Sequence, residues 1–108
     1  VSKAADKRSI FARRLAQARL SRGLTQAQLG VLAGMEVEVA SPRINQYERG
    51  VHEPRSAMVK QLAQALGIPP AFLYTEDELL AKVLLHWPTL TKKKKRELVK
   101  ALETPPTK

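Results

Sequence analysis

Three side chains lying within four residues of one another, Arg43, Asn45 and Gln46, are suited to reading the edges of planar rings. A guanidinium bonds guanine O6 and N7 as a pair, and a carboxamide does the same with adenine N6 and N7. Such a trio near the start of a helix can therefore read bases in a major groove. The helix that would carry them is bounded by punctuation: Ser41 is a good N-cap, Pro42 suits the first helical position, and Gly50 suits a left-handed stop. The predicted helix spans 42–49, with Ile44, Tyr47 and Glu48 on one side and Arg43, Asn45, Gln46 and Arg49 on the other. Ser41 and Pro42 stand at the end that meets the groove, where the Ser41 hydroxyl can cap the helix and bond a phosphate or base.

A second helix must hold this one in place. Thr25 with Gln28 three residues on forms a capping box, so a helix opens at Gln26. Leu29, Leu32 and Ala33 recur at helical spacing, Gly30 leaves room for a close helix crossing, and Gly34 suits the C-terminal turn, giving a helix over 26–33. Two short helices joined by a glycine turn are the layout of a helix-turn-helix. The intervening stretch MEVEVASP is long, and a proline inside a helix costs about 3 kcal/mol. The expectation is therefore an enlarged turn, with Glu36 and Glu38 alternating with Val37 and Val39. Lengthening a loop costs little entropy, so it reads as a tolerated surface insertion.

The segments ARLSRGLTQAQLGVLAG, NQYERG and QLAQALGIPPAFLY together resemble the phage-repressor and Cro type of helix-turn-helix protein, the xenobiotic-response-element family, over roughly residues 11–74. The resemblance implies an all-α, five-helix, lambda-repressor-like bundle that binds double-stranded DNA, here with a turn four residues longer than the family's usual one. It also implies roles for single residues. Gln26, at the head of its helix, meets a phosphate with the helix dipole behind it. Arg49, in YERG, contacts a phosphate or compensates the helix's negative end. Arg19 and Glu48 form a partly buried ion pair between the first and third helices.

Composition agrees. The chain of 108 residues is one small unit, 44% hydrophobic, with no cysteine and no apolar run approaching a membrane span. A soluble, cytoplasmic protein is expected. Net charge is +9, concentrated as +6 over residues 1–22 and +5 over 92–108, which suits a phosphate backbone. His52 and His86 stand alone, without a second ligand at metal spacing, and no phosphate-binding glycine loop or nucleophile motif is present. No metal, cofactor or enzymatic activity is expected.

Further helices are predicted over 5–21, over 57–66 behind a Ser56 cap, in a short piece over 70–74, from a Thr75 capping box to Trp87, and from a Thr91 cap to Glu103, before a frayed tail. This divides the chain into a DNA-binding domain, 1–74, and a C-terminal helical extension, 75–108. The extension carries two apolar stripes, Leu79, Leu80, Val83, Leu84 and Trp87, then Leu98, Val99 and Leu102. They suit packing within the chain or a homodimer on two half-sites. The cationic run 92–96 sits at the positive end of its helix, an arrangement that phosphate contact would offset. The expected function is sequence-specific transcriptional repression. The alternatives are an antitoxin or adaptor acting through a protein partner on the C-terminal helices, and sequence-tolerant binding by the basic tails.

Overall fold

The computed structural model describes Asp6 and residues 8–105. Six α-helices follow one another: α1 (Ile10–Ser21), α2 (Gln26–Leu32), α3 (Val37–Arg49), α4 (Ser56–Leu66), α5 (Glu78–His86) and α6 (Lys92–Glu103). Two 3-10 turns, Pro70–Tyr74 and Trp87–Thr89, join the later ones. No strand occurs among the described residues. The core is where the stripes of α1 to α4 meet the first 3-10 turn: Leu15, Leu29, Ile44, Leu62, Leu66, Phe72 and Leu73 are fully enclosed. The all-α, lambda-repressor-like bundle is thus the fold.

Local chemistry sets several boundaries. Ser9 accepts from the Ala12 amide at 3.2 Å and opens α1 at Ile10, later than the expected start at residue 5, since Asp6, Arg8 and Ser9 are not helical. The Thr25 and Gln28 capping box is present in both directions, at 3.0 and 2.8 Å. Gly34 follows α2 at a φ of +98°, a conformation L side chains rarely adopt, and this sends the chain into α3.

The enlarged turn is not formed. α3 begins at Val37, with Glu36 as its N-cap, and Pro42 and Ser41 lie inside it. Four extra residues amount to little more than one turn of about 3.6 residues, so a longer helix absorbs them while keeping the face of Ile44 and Tyr47 toward the core. Ala40, Ile44 and Tyr47 form one buried stripe at helical spacing, and burying it outweighs the proline's cost. Pro42 itself is exposed and offers no N–H to the Glu38 carbonyl one turn back. Replacing it should therefore help: Pro42→Ala is expected to stabilise the protein by about 1–3 kcal/mol, seen as a raised urea midpoint. A lowered midpoint would mean that Ser41 and Pro42 start the helix after all.

Other boundaries also move. Ser56 is not a cap; Arg55 holds that position without a side-chain bond. Thr75 does not cap α5, because its hydroxyl donates to the Ala71 carbonyl at 2.6 Å, and Asp77 caps instead, accepting from the Leu80 amide at 3.0 Å. α5 ends at His86, and Pro88 sits in the 3-10 turn that continues it.

One arginine of α1 fastens the segment that leads into α5, and a second, just past α1, closes the end of α4. Arg14 is buried, with Nε donating to the Thr75 carbonyl at 2.7 Å and Nη2 to the Glu76 carbonyl at 3.0 Å. It also holds the exposed Glu78 carboxylate at 3.2 Å, which keeps that carboxyl below its ordinary range. Arg22 Nε donates to the Leu66 carbonyl at 2.7 Å and so closes the end of α4. The far end of the extension is different: α6 buries no residue. The molecule is correspondingly elongated, 57 × 39 × 24 Å. Its radius of gyration is 16.2 Å, against about 13 Å for a compact chain of this length.

Candidate nucleic-acid interface

α3 is held from two sides. On one it crosses α2 at Gly30, where an added Cβ would lie 2.5 Å from the Ala40 Cβ and 2.8 Å from the Ala40 Cα, so only glycine permits this approach. On the other side Arg19 reaches Glu48 with both prongs of its guanidinium, Nε to Oε2 at 2.6 Å and Nη2 to Oε1 at 3.1 Å. Both side chains are largely buried, at 13% and 7% exposure. Arg19 Nη1 also donates to the Leu24 carbonyl at 2.9 Å, tying in the loop before α2. Bidentate geometry fixes orientation as well as distance, so the pair sets the roll of α3 against α1.

Gln26 joins this network, its Nε2 donating to Glu48 Oε1 at 3.2 Å. One amide proton is used there, which leaves the other, and the carbonyl, free for a further partner. Arg8 adds a bond from Nη1 to the Glu48 main-chain carbonyl at 3.1 Å. Asp6 in turn orients Arg8, whose hydrogen bonds pull the Asp6 carboxyl down to a pKa of about 2.

With one face locked, the other is open. Ile44, Tyr47 and Glu48 are buried, whereas Pro42, Arg43, Gln46 and Arg49 are exposed and Ser41 and Asn45 half-buried. Among the described residues, the side chains of Arg43, Asn45, Gln46 and Arg49 take part in no hydrogen bond or ion pair, so their donors and acceptors are free. They do not form one cluster. Arg43 and Gln46, one turn apart, line an open cleft of about 570 Å³ together with His52, Arg55, Met58 and Gln61, from the α3–α4 connection and α4. Asn45 and Arg49 lie outside that cleft. Ser41 is no longer at a helix end, and the leading turn of α3 instead exposes Val37, Glu38 and Val39.

His52 and Arg55 at this cleft escape a reading based on α3 alone. The signal was the run VHEPRS just after Gly50, short and polar, beside a helix with no side-chain cap. The basic N-terminal segment delivers less than its sequence charge: Arg14, Arg19 and Arg22 are engaged in internal bonds, and Arg8 is paired with Asp6.

Comparison with known proteins agrees with this geometry. A family profile described as helix-turn-helix matches residues 15–73, from α1 through the first 3-10 turn. The crystal structure of the transcriptional regulator BswR superposes with a TM-score of 0.80 at 42% identity, covering 85% of this chain and 91% of that one. That coverage exceeds the profile's span, so the likeness reaches past the helix-turn-helix unit. A search of curated protein sequences finds no match. A profile spanning more than half the chain, and a solved relative alike in both sequence and fold, establish that this protein belongs to the helix-turn-helix family of the phage-repressor and Cro, or xenobiotic-response-element, type.

Proposed function

We propose that this chain, a DNA-binding transcriptional regulator by family, is a repressor that occupies an operator by laying α3 in the major groove, as a homodimer on paired half-sites. Residues 1–74 are the reading domain in this proposal and 75–108 the extension. The observation that carries it is the division of α3 into a locked face and a face of unengaged hydrogen-bonding side chains. Arg43 is assigned to guanine, and Asn45 and Gln46 to adenine. Arg49 and Gln26 are assigned to phosphates, Gln26 through the amide proton that Glu48 leaves free. Ser41 and Pro42 flank these contacts along the helix. No described helix is long and apolar enough to cross a membrane.

The test is a fluorescence-anisotropy titration on DNA from upstream of the protein's own gene and on scrambled DNA of equal length, across salt concentrations. Preference for the first by three or more orders of magnitude is expected on the scale of specific regulators. Equal, steeply salt-dependent binding would replace the proposal with charge-driven binding. Arg43→Ala should weaken operator binding by about 10–100-fold, roughly 1–3 kcal/mol, and leave scrambled DNA nearly unaffected. A second reading, an antitoxin or adaptor acting through a protein partner, draws on the exposed leucines of α5 and α6. It gains if the chain binds neither DNA at moderate salt.

A further inference from the structure

The leading turn of α3, Val37 to Ala40, has no counterpart in the helix expected over 42–49, and it carries side chains that the proposed base contacts leave unused. Ala40 is fully buried against Gly30 of α2, so the turn is fastened to the bundle. Glu38 stands one helical turn before Pro42 and two before Asn45, and Val39 one turn before Arg43 and two before Gln46. Both therefore continue the open face of α3, opposite Ile44 and Tyr47. Both are exposed, Val39 at 38%. Among the described residues the Glu38 side chain takes part in no hydrogen bond or ion pair. From Glu38 to Gln46 the helix axis covers about 12 Å, more than three base-pair steps of about 3.4 Å.

An acid on such a face weakens binding to any DNA, because phosphates repel it. It gains something only where a base edge presents a donor. Cytosine N4 and adenine N6 are the donors of the major groove, and adenine sets its N7 acceptor beside N6, which repels a carboxylate. Pro42 leaves the Glu38 carbonyl without its helical N–H partner, which adds a further acceptor to this part of the face. Val39 has the opposite character, and the match in the groove for an exposed branched apolar group is the 5-methyl of thymine. We propose that the leading turn of α3 determines specificity: Glu38 accepts from the N4 amino group of a cytosine, and Val39 packs on a thymine methyl, beyond the bases met by Arg43, Asn45 and Gln46. Glu38 acts chiefly by exclusion. Opposite guanine or thymine, whose edges hold acceptors, its charge is desolvated without a partner and that base is rejected. Glu38 thus lowers affinity for DNA at large and raises the ratio between right and wrong sites.

This inference rests on α3 lying in the major groove, as in the proposed function. The test is selection of preferred sites by the full chain from a pool of randomised duplexes, followed by anisotropy titrations on single-base variants of the selected site. The parent is expected to favour cytosine at one position by about tenfold or more. Glu38→Ala should flatten that position alone and bind scrambled DNA more tightly than the parent does, the reverse of a lost cationic contact. Replacing each thymine in turn by deoxyuridine removes a methyl group and nothing else. At one position this should weaken the parent about fourfold, the worth of one buried methyl, and leave Val39→Ala unaffected. Both side chains are exposed, and urea midpoints of the variants check that the fold is kept. A Glu38→Ala variant that keeps the parent's preference at every position, or that binds all duplexes more tightly by one common factor, would overturn the proposal. So would thymine methyls that count equally with and without Val39. If Arg43→Ala flattens a position while Glu38→Ala and Val39→Ala flatten none, this inference alone falls. If the parent selects no site, the regulator reading falls with it.

Discussion

Glu48→Ala is expected to lower the free energy of unfolding by about 3–5 kcal/mol, a large share of what a domain of this size possesses. The carboxylate accepts from Arg19 twice and from Gln26 once, and it is only 7% exposed. Removing it leaves a guanidinium at 13% exposure with no opposite charge, so the loss is dominated by a stranded buried cation. Glu78→Ala provides the contrast. Glu78 also meets a buried arginine, Arg14, but its own side chain is 67% exposed, and Arg14 keeps the Thr75 and Glu76 carbonyls. Its removal should cost no more than about 1 kcal/mol. Urea denaturation of the two variants beside the parent decides the matter. Coincident midpoints for Glu48→Ala and the parent would show that the pair does not fasten α3.

Gly30→Ala tests the crossing on the other side of α3. In a helix interior this change ordinarily stabilises, by roughly 0.5–1 kcal/mol, because glycine loses more backbone freedom on folding. Here the new methyl would lie 2.5, 2.8 and 3.1 Å from Ala40 Cβ, Cα and carbonyl carbon, and two of those atoms are backbone. No side-chain rotation relieves that contact, so α3 must move bodily. Overpacking of this kind costs about 1–3 kcal/mol or more, and the net sign should be destabilising. The functional effect should exceed the thermodynamic one, because displacing α3 misplaces Arg43, Asn45 and Gln46 together. Operator affinity should fall well beyond scrambled-DNA affinity. Ala40→Gly in the same chain should recover part of the loss, since it removes the nearest contact and leaves the backbone ones. Stability equal to or above the parent's would mean that the crossing is looser than 2.5 Å implies.

The parts of this protein legible from sequence were those whose causes lie within a few residues. The capping box of Thr25 and Gln28, the turn at Gly34, the stop at Gly50 and the Thr91 cap are local exchanges of hydrogen bonds, so residue type and spacing suffice. The buried face of Ile44, Tyr47 and Glu48 was legible for a similar reason, because helical periodicity alone divides α3 into two sides. Three features were decided only by tertiary contacts. Pro42 signals a helix start by every local rule, and it is overruled because Ala40, one turn before Ile44, packs on Gly30 of another helix. Thr75 and Asp77 are both competent caps, and the choice falls to Asp77 where Arg14, 61 residues earlier than Thr75, draws the Thr75 carbonyl. Arg14 and Arg22 count in the sequence as surface charge for DNA, yet in the fold they bond carbonyls inside the protein; the Arg19–Glu48 pair, by contrast, was expected from the family resemblance. A long guanidinium side chain spans helices that the sequence separates, so its partner is set by where the backbone brings acceptors, and no local pattern carries that information.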